Sequence, residues 1–181
     1  MKAPAHSWCT TAWRTYWRCQ TGAAAAEFAL TLVLLVVPVM NVVDLGVYVY
    51  DRMELENAAQ SAVQTAWAQC AATGQVPATV NSYCAGLSAA MTTAAQTSSL
   101  GSGVSISSTT EDYCCPGSSN GALTCQGSVT TTTPTACASG ENPGDYIFVT
   151  VSYTYTSFYP AASIVSLLTT PITHQAWMRL A

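Results

Sequence analysis

The chain has 181 residues, of which 50% are hydrophobic and 8% are charged, and its formal net charge is −4. Soluble proteins usually carry about 25% charged residues, so this composition argues against a cytosolic enzyme and indicates an exported protein with one domain and an appendage. The acidic balance gives no reason to expect a nucleic-acid partner.

Positive and negative charges are separated along the chain. The residues before Glu27 include three basic side chains and no acid, whereas those after Gly46 include seven acids and two arginines. The three basic residues are Lys2, Arg14 and Arg18, and the seven acids are Asp51, Glu54, Glu56, Glu111, Asp112, Glu141 and Asp145. Because basic residues collect on the cytoplasmic side of a membrane, this asymmetry predicts a cytoplasmic N-terminus and an exported remainder.

The segment from Ala23 to Val43 predicts one membrane-spanning helix. It contains 21 residues, of which only Glu27 and Asn41 are strongly polar. At 1.5 Å per residue such a helix is about 32 Å long, which matches the hydrocarbon thickness of a bilayer. The apolar run 161–168 is too short to be a second span.

Three kinds of N-terminal segment remain open: a cleaved secretory signal, an uncut anchor, and a signal cut on the cytoplasmic side of the apolar run. A secretory signal has a shorter apolar run that ends in a small-x-small site. The length of this run, and the lack of an Ala-x-Ala site directly after it, argue against a secretory signal, and we favour the third kind on the residues described below. We therefore divide the chain into a basic cytoplasmic leader (1–22), a transmembrane helix (23–46) and an extracytoplasmic head (47–181).

A helical pattern continues beyond the span. Apolar residues recur at spacings of three and four from Val47 to Trp67, and Gly74 and Pro77 then provide a stop. The sequence therefore predicts one long helix, whose first half lies in lipid and whose second half packs on the head.

The head is predicted to be an α+β unit in which this helix packs on a small antiparallel sheet of three or four strands. The clearest strand is Asp145–Thr156, in which alternate residues are apolar or aromatic and fall on one face. The other expected elements are a second helix over 77–97, a short strand over 104–107, a loop region over 111–145 with one strand near 128–133, and a last strand over 172–180.

Six cysteines follow the span and predict a disulfide-rich head in an oxidising compartment, the periplasm. They are Cys70, Cys84, Cys114, Cys115, Cys125 and Cys137, whereas Cys9 and Cys19 precede the span and are expected to stay reduced. About fifteen pairings are possible for six cysteines. We expect Cys70–Cys84 to link the two helices and either Cys125–Cys137 or a bridge from Cys114 or Cys115 to close the loop. A zinc site is the alternative, but no Cys-x-x-Cys pair or histidine cluster supports it.

No pattern in the sequence indicates catalysis, a cofactor or a metal ion. The two histidines, His6 and His174, fall in the leader and the last strand, and no nucleotide-binding, hydrolase or metalloprotease motif occurs. Glu141 and Asp145 are expected to flank a turn. The charged residues just past the membrane are expected to form a solvated face; they are Asp51, Arg52, Glu54 and Glu56. We therefore expect a protein that is not an enzyme.

The start of the span resembles the prepilin peptidase site of type IV pilins. A basic leader is followed by Gly22, four alanines, the pair Glu27-Phe28 and an apolar run. In that family, cleavage follows the glycine, and a glutamate at the fifth mature residue is characteristic. The resemblance implies cleavage between Gly22 and Ala23, and the Glu-Phe pair points to the Flp/Tad branch.

The chain from the span to about residue 68 resembles the TadE/TadG-like family of Tad pilus-assembly proteins. That family shows an acid–leucine–glycine turn off the membrane, then an aromatic and arginine-bearing helix with an Asn-Ala-Ala patch. The matching residues are Asp44-Leu45-Gly46, Tyr48, Tyr50, Arg52 and Asn57-Ala58-Ala59. The resemblance implies a pilin-like fold and a minor pilin or pseudopilin that helps to assemble a Tad-type pilus or a related secretion apparatus. It also implies the bacterial inner membrane as the location, and other pilins, a prepilin peptidase and the inner-membrane platform as partners.

Glu27 has two interpretations. After cleavage, the free amine of Ala23 would lie on the same helix face as Glu27, and the two charges could offset each other within one subunit or between neighbours. Alternatively, Glu27 lies at the headgroup level and is merely solvated. The rival function for the whole chain is an uncut, membrane-anchored periplasmic binding or structural module.

Overall fold

The computed structural model describes residues 20–79, 83–117, 122–160, 163–168 and 170–181. Its longest element is helix α1, Gln20–Gln69, which contains 50 residues and continues through Pro38. The predicted long helix is therefore confirmed. The turn that the family resemblance implied at Asp44–Gly46 is not present, because these residues are helical and the chain leaves the apolar segment without a break.

Helix α1 has two halves with different surroundings. In its first half, the side chains from Ala24 to Val43 are exposed on all sides of the helix apart from the half-buried Asn41, as illustrated by Leu34, which is 75% exposed. Its second half buries one face that recurs every three or four residues and includes Tyr48, Leu55, Ala59 and Ala62. Alanines on this face let the helix approach the sheet closely, and burial of the larger side chains supplies the hydrophobic stabilisation.

The head is a four-stranded antiparallel sheet with strand order β2-β1-β3-β4. The strands are β1, Val104–Pro116; β2, Leu123–Ser128; β3, Gly144–Tyr153; and β4, Ile172–Arg179. The predicted α+β architecture is confirmed. In β3, Ile147, Val149 and Val151 are fully buried in the core, as the alternation predicted.

Strands β1 and β2 differ from their predicted positions. Strand β1 has 13 residues rather than four, and β2 ends at Ser128, where the predicted strand began. The alternation in β1 is hidden for two reasons. Its inward positions include Thr109 and Glu111 as well as apolar residues, and a bulge between Ile106 and Ser108 shifts the register.

The second helix, α2, is shorter than predicted and extends over Leu87–Ala95. Gly86 precedes it with a φ of 77°, a left-handed conformation that suits glycine, and this residue marks the start that the sequence pattern did not reveal. Helix α2 buries Leu87, Met91 and Ala95, and the Ser61 hydroxyl of α1 donates a hydrogen bond to the Ala94 carbonyl at 3.0 Å.

Three disulfides join the six cysteines of the head. The predicted Cys70–Cys84 bridge is confirmed, although Cys84 lies before α2 and the bridge therefore ties the end of α1 to the segment between the helices. Of the two alternatives for the loop, Cys125–Cys137 is wrong and a bridge from Cys114 or Cys115 is confirmed, since the other two pairs are Cys114–Cys125 and Cys115–Cys137. Cys114 lies directly opposite Cys125 in the β1–β2 ladder, and its neighbour Cys115 points to the other face of the strand, where Cys137 meets it.

Candidate functional site at the membrane boundary

One helix among the described residues is long and apolar enough to cross a membrane. Its most apolar window has a mean hydropathy of 2.3, and only 6% of that window is buried within the protein. The core helix of a water-soluble protein would have a similar composition but would be covered by the rest of the chain. An uncovered surface of this kind needs an apolar environment, so the helix indicates membrane anchoring.

The residues of the predicted processing site lie at the start of α1. Gly22 and Ala23 fall within the helix, whereas Glu27 and Phe28 are exposed on its surface, Phe28 at 68%. The Glu27 carbonyl accepts a hydrogen bond from the Thr31 hydroxyl at 2.9 Å. Both cleavage after Gly22 and pairing of Glu27 with an amine stay predictions.

A buried carboxylate marks the point where α1 meets the head. Asp44 is only 1% exposed, and its Oδ1 accepts hydrogen bonds from the Tyr155 hydroxyl at 2.6 Å and from the Phe158 backbone N–H at 3.1 Å. Its Oδ2 accepts a hydrogen bond from the Ser163 hydroxyl. Three donors compensate this carboxylate for the loss of water, which makes its burial tolerable.

The donors to Asp44 all belong to the chain segment between β3 and β4. The same segment contacts the previous turn of α1, where Asn41 Oδ1 accepts a hydrogen bond from the Ile164 backbone N–H at 2.8 Å. Ser163 also caps the short 3-10 helix Ile164–Leu167 by accepting from the Val165 N–H at 3.1 Å. Asp44 and its three donors, which we call the Asp44 clamp, therefore fasten this segment to the end of the membrane helix.

Tyr155 is held from two sides. Its ring packs edge-on against Tyr48, with ring centroids 5.5 Å apart and an angle of 89° between the rings. Burial, followed by the hydrogen bond to Asp44, raises the pKa of Tyr155, so its hydroxyl stays protonated and remains a donor. The clamp is therefore unaffected by Tyr155 titration near neutral pH.

From the sequence, Asp44 was assigned to a family motif, but the Asp44 clamp was not predicted. A signal was present, because Asp44 precedes Tyr48 by four residues and so lies on the helix face that Leu55 and Ala59 continue. A carboxylate on a buried helix face indicates a set of hydrogen-bond donors. The identity of those donors could not be predicted, since Tyr155 and Ser163 are 111 and 119 residues away.

The charged residues after the membrane do not all form the predicted solvated face. Arg52 and Glu56 are exposed, but Asp51 is only 8% exposed. Burial, and then the neighbouring charge of Glu54, raises the pKa of Asp51. Hydrogen bonds from the Ser99 hydroxyl and backbone N–H, at 2.9 and 3.2 Å, lower the pKa of Glu54. Asp51 and Glu54 therefore face the head, whereas Arg52 and Glu56 face solvent as predicted.

A second group of buried carboxyls lies on the sheet, although Glu111 was expected in a loop region and Asp145 beside a turn. Glu111 of β1 accepts hydrogen bonds from the backbone N–H groups of Ala78 and Thr79, at 2.9 and 2.7 Å, and from the Thr79 hydroxyl at 2.7 Å. Asp145 of β3 is 6% exposed, and its Oδ1 has no hydrogen-bond partner among the described residues. Burial, and then the nearby Glu111, raises the pKa of Asp145 to about 7.

The contacts of the carboxyl pair Glu111 and Asp145 indicate a structural role. The Glu111 carboxylate accepts hydrogen bonds from residues 78 and 79, which lie between the two helices. The carboxylate that His174 of β4 approaches is a different one, since its Nε2 lies 4.0 Å from Glu56 Oε1 of α1. All six head cysteines are disulfide-bonded, which leaves no thiolate among them for a metal ion.

The comparisons with known proteins bear on α1 alone. A search of curated proteins and a search of solved structures each found no significant match to the chain. Residues 22–64, however, match the family model described as TadE-like protein. The matched residues contain the predicted processing site, the apolar helix and Asp44. The match confirms the TadE-like resemblance for this part of the chain and indicates a Tad pilus-related membrane protein.

Proposed function

We propose that this chain is a minor pilin or pseudopilin-like subunit that assists assembly of a Tad-type pilus or a related secretion apparatus in the bacterial inner membrane. The observation that carries the proposal is the division of α1 within the TadE-like match. One half is an uncovered apolar rod, and the other half packs on a disulfide-bonded head. Such a protein acts by packing rather than by catalysis.

The uncovered rod supplies the assembly surface. Between Ala24 and Val43 its side chains are exposed or nearly so on all sides, and Glu27 is the one ionisable residue. Helices of this kind associate in lipid through close packing and through polar groups that find partners. An unpaired carboxylate in the middle of a membrane or at the membrane's edge has a cost in free energy. An amine of a neighbouring subunit that pairs with Glu27 would offset this cost and would therefore favour assembled over separate subunits.

A prepilin peptidase would create that amine. Cleavage between Gly22 and Ala23 removes the basic leader and leaves Ala23 as a free N-terminus four residues before Glu27. The amine and the carboxylate then lie on one helix face, within a subunit or between two subunits. The head lies in the periplasm in this arrangement, where its partners are other pilins, pseudopilins and the inner-membrane platform.

Substitution of Glu27 tests the proposal. We expect Glu27→Ala and Glu27→Gln to leave the protein in the membrane fraction but to abolish pili on the cell surface, since neither side chain carries the negative charge that would pair with a protonated amine. Thr31→Ala is the matched control, because it removes a polar group one helical turn further along without removing a charge. Normal piliation in both Glu27 variants would refute the assembly role of this carboxylate.

The alternative is an uncut anchor with a periplasmic binding module. A groove of about 340 Å³ between α1 and β4 favours it, since Gln60, Gln64, His174 and Gln175 line the groove and could hydrogen-bond a small polar ligand. N-terminal sequencing of the membrane-extracted protein separates the two functions. A chain that starts at Ala23 supports the pseudopilin, and a chain that starts at Met1 supports the anchored module.

A further inference from the structure

A concentration of exposed apolar side chains lies between β3 and β4. We call the described residues 157–160 and 163–168 the boundary loop. Val165 of this loop is buried, but five of its large apolar side chains are exposed by between 40% and 85%, and they are Phe158, Tyr159, Ile164, Leu167 and Leu168. A soluble domain rarely exposes so many neighbouring apolar groups unless another surface covers them.

The contacts of the boundary loop fix its level along α1. The Asp44 clamp and the hydrogen bond from Ile164 to Asn41 hold it against the last turns of the apolar helix segment. A crevice of about 210 Å³ lies between the loop and the helix and extends along α1 from Asp44 to Val36. The eight-residue separation of Val36 and Asp44 corresponds to a rise of about 12 Å, so Tyr159, which lines the crevice, lies alongside the outer end of the span.

The composition of the loop suits lipid. No Asp, Glu, Lys or Arg occurs between Asp145 and His174, and the loop contains a phenylalanine and a tyrosine, of which tyrosine is typical of membrane interfaces. The helix surface beside it is also apolar and exposed, with Val37 and Met40 at 46% and 37%. Because the two surfaces are continuous, whatever surrounds the helix at this level also surrounds the loop.

We propose that the boundary loop inserts into the outer interface of the bilayer that α1 spans, and that the Asp44 clamp holds it there. The head would then have two attachments to the membrane, the helix and the loop, which restrict its tilt. This inference requires the membrane anchor but not the pilus function.

A spin label on the loop tests the contact with lipid. The full chain carries Cys9→Ser and Cys19→Ser, receives the label through Leu167→Cys, and is reconstituted in bilayer discs of phosphatidylethanolamine and phosphatidylglycerol. Collisions with oxygen, which concentrates in lipid, are compared with collisions with a water-soluble nickel complex. We expect a severalfold higher oxygen-to-nickel ratio at residue 167 than at a label introduced by Gln64→Cys, which lies about 30 Å beyond Asp44 along α1.

A third label, introduced by Leu34→Cys, reports the anchor itself. If residue 167 collides with nickel as freely as residue 64, the loop lies in water and the inference is wrong. If residue 167 is shielded from both reagents, a second copy or another protein covers the loop, and the inference is again wrong. If residue 34 also lies in water, the anchor fails together with the inference. Loss of the pilus function alone would leave all three measurements unchanged.

The clamp is tested separately by adding Asp44→Asn to the Leu167→Cys chain. The amide replaces a carboxylate that accepts from Tyr155, Phe158 and Ser163, so we expect the label to become more mobile and its oxygen-to-nickel ratio to fall. The label at residue 64 should not change, which shows that the head remains folded. An unchanged ratio at residue 167 would show that Asp44 does not hold the loop at the membrane.

Discussion

Asp44 shows how a single residue can decide the position of a whole segment. A carboxylate removed from water is costly, and the cost is offset here by hydroxyl and backbone donors that lie more than 110 residues away. The donors bring the chain back from the sheet to the helix. The Asp44 clamp is therefore a long-range contact between the membrane helix and the head, centred on one side chain.

Removal of the Tyr155 hydroxyl is expected to weaken the clamp. Tyr155→Phe keeps the ring contact with Tyr48 but deletes the 2.6 Å hydrogen bond to Asp44, so we expect the free energy of unfolding to fall by about 1–3 kcal/mol. Denaturant titration of the full chain in detergent, followed by tryptophan fluorescence, measures the change. Tyr83→Phe is the control, because Tyr83 is 56% exposed, and it should change stability by less than about 0.5 kcal/mol. Equal stabilities for the two variants would contradict the clamp.

Asp145 is expected to make the head less stable as the pH rises. The carboxyl has a pKa of about 7 in the folded protein and about 4 in the unfolded chain, so between these values the folded state binds more protons. The free energy of unfolding should therefore fall from about pH 4 to about pH 7 and change little from this group above pH 7.

Asp145→Asn removes this titration and keeps a neutral side chain beside Glu111. We expect the fall between about pH 4 and about pH 7 to shrink, and the variant to be more stable than the native chain at about pH 8 by roughly 1–3 kcal/mol. Denaturant titrations at several pH values measure both effects. Glu141→Gln is the control, because Glu141 is exposed. If Asp145→Asn retains the full pH dependence, another group is responsible.

The elements differ in how far the sequence predicts them. Helix α1 and strand β3 were predicted because their core faces are apolar at regular spacings, as in Ile147, Val149 and Val151. Strand β1 was predicted only over its first four residues, because Glu111 further along occupies an inward position and binds a remote loop instead of packing with apolar neighbours. An alternating pattern of apolar and polar residues predicts a strand only when burial of apolar surface stabilises the inward positions along the whole strand.

The Cys115–Cys137 bridge is expected to order the segment between β2 and β3. That segment has no strand of its own, and its other ties are hydrogen bonds such as those between Gln126 and Thr135, at 2.7 and 2.9 Å. Replacing both cysteines by serine should cost about 3 kcal/mol and should raise hydrogen exchange over residues 129–143 while the β1–β3 ladder stays protected.

The Cys114–Cys125 bridge provides the comparison. These cysteines face each other in a ladder that already holds them in register, so their replacement by serine should have a smaller effect on exchange over residues 129–143. If the two double variants loosen the same residues equally, the position of the bridge does not determine its effect.

At the scale of the whole molecule, the sequence predicts the division into rod and head but not the way that the two are joined. The division depends on local composition, since an apolar run precedes a region with acids and cysteines. The joint depends on Asp44, Asn41 and the boundary loop, which come together only after the sheet has formed. Contacts between residues more than 100 positions apart leave no periodic pattern in the sequence. Only a residue that does not fit its local pattern, such as the Asp44 carboxylate on an apolar helix face, points to them.

Counting reactive thiols reports on the leader and the head in one measurement. The chain has eight cysteines, of which six form disulfides in the head, whereas Cys9 and Cys19 lie in the proposed leader. We expect the denatured protein from cells to bind no maleimide polymer before reduction and six polymers after it, because cleavage removes both leader cysteines and oxidation protects the rest. Each polymer slows the band in gel electrophoresis by one step, which makes the count direct.

Two polymers before reduction and eight after it would show an uncut anchor with an oxidised head. More than two before reduction would mean that the head is not fully disulfide-bonded, which is incompatible with its export to an oxidising compartment. Cys9→Ser combined with Cys19→Ser is the control, since any thiol that reacts before reduction in this variant belongs to the head.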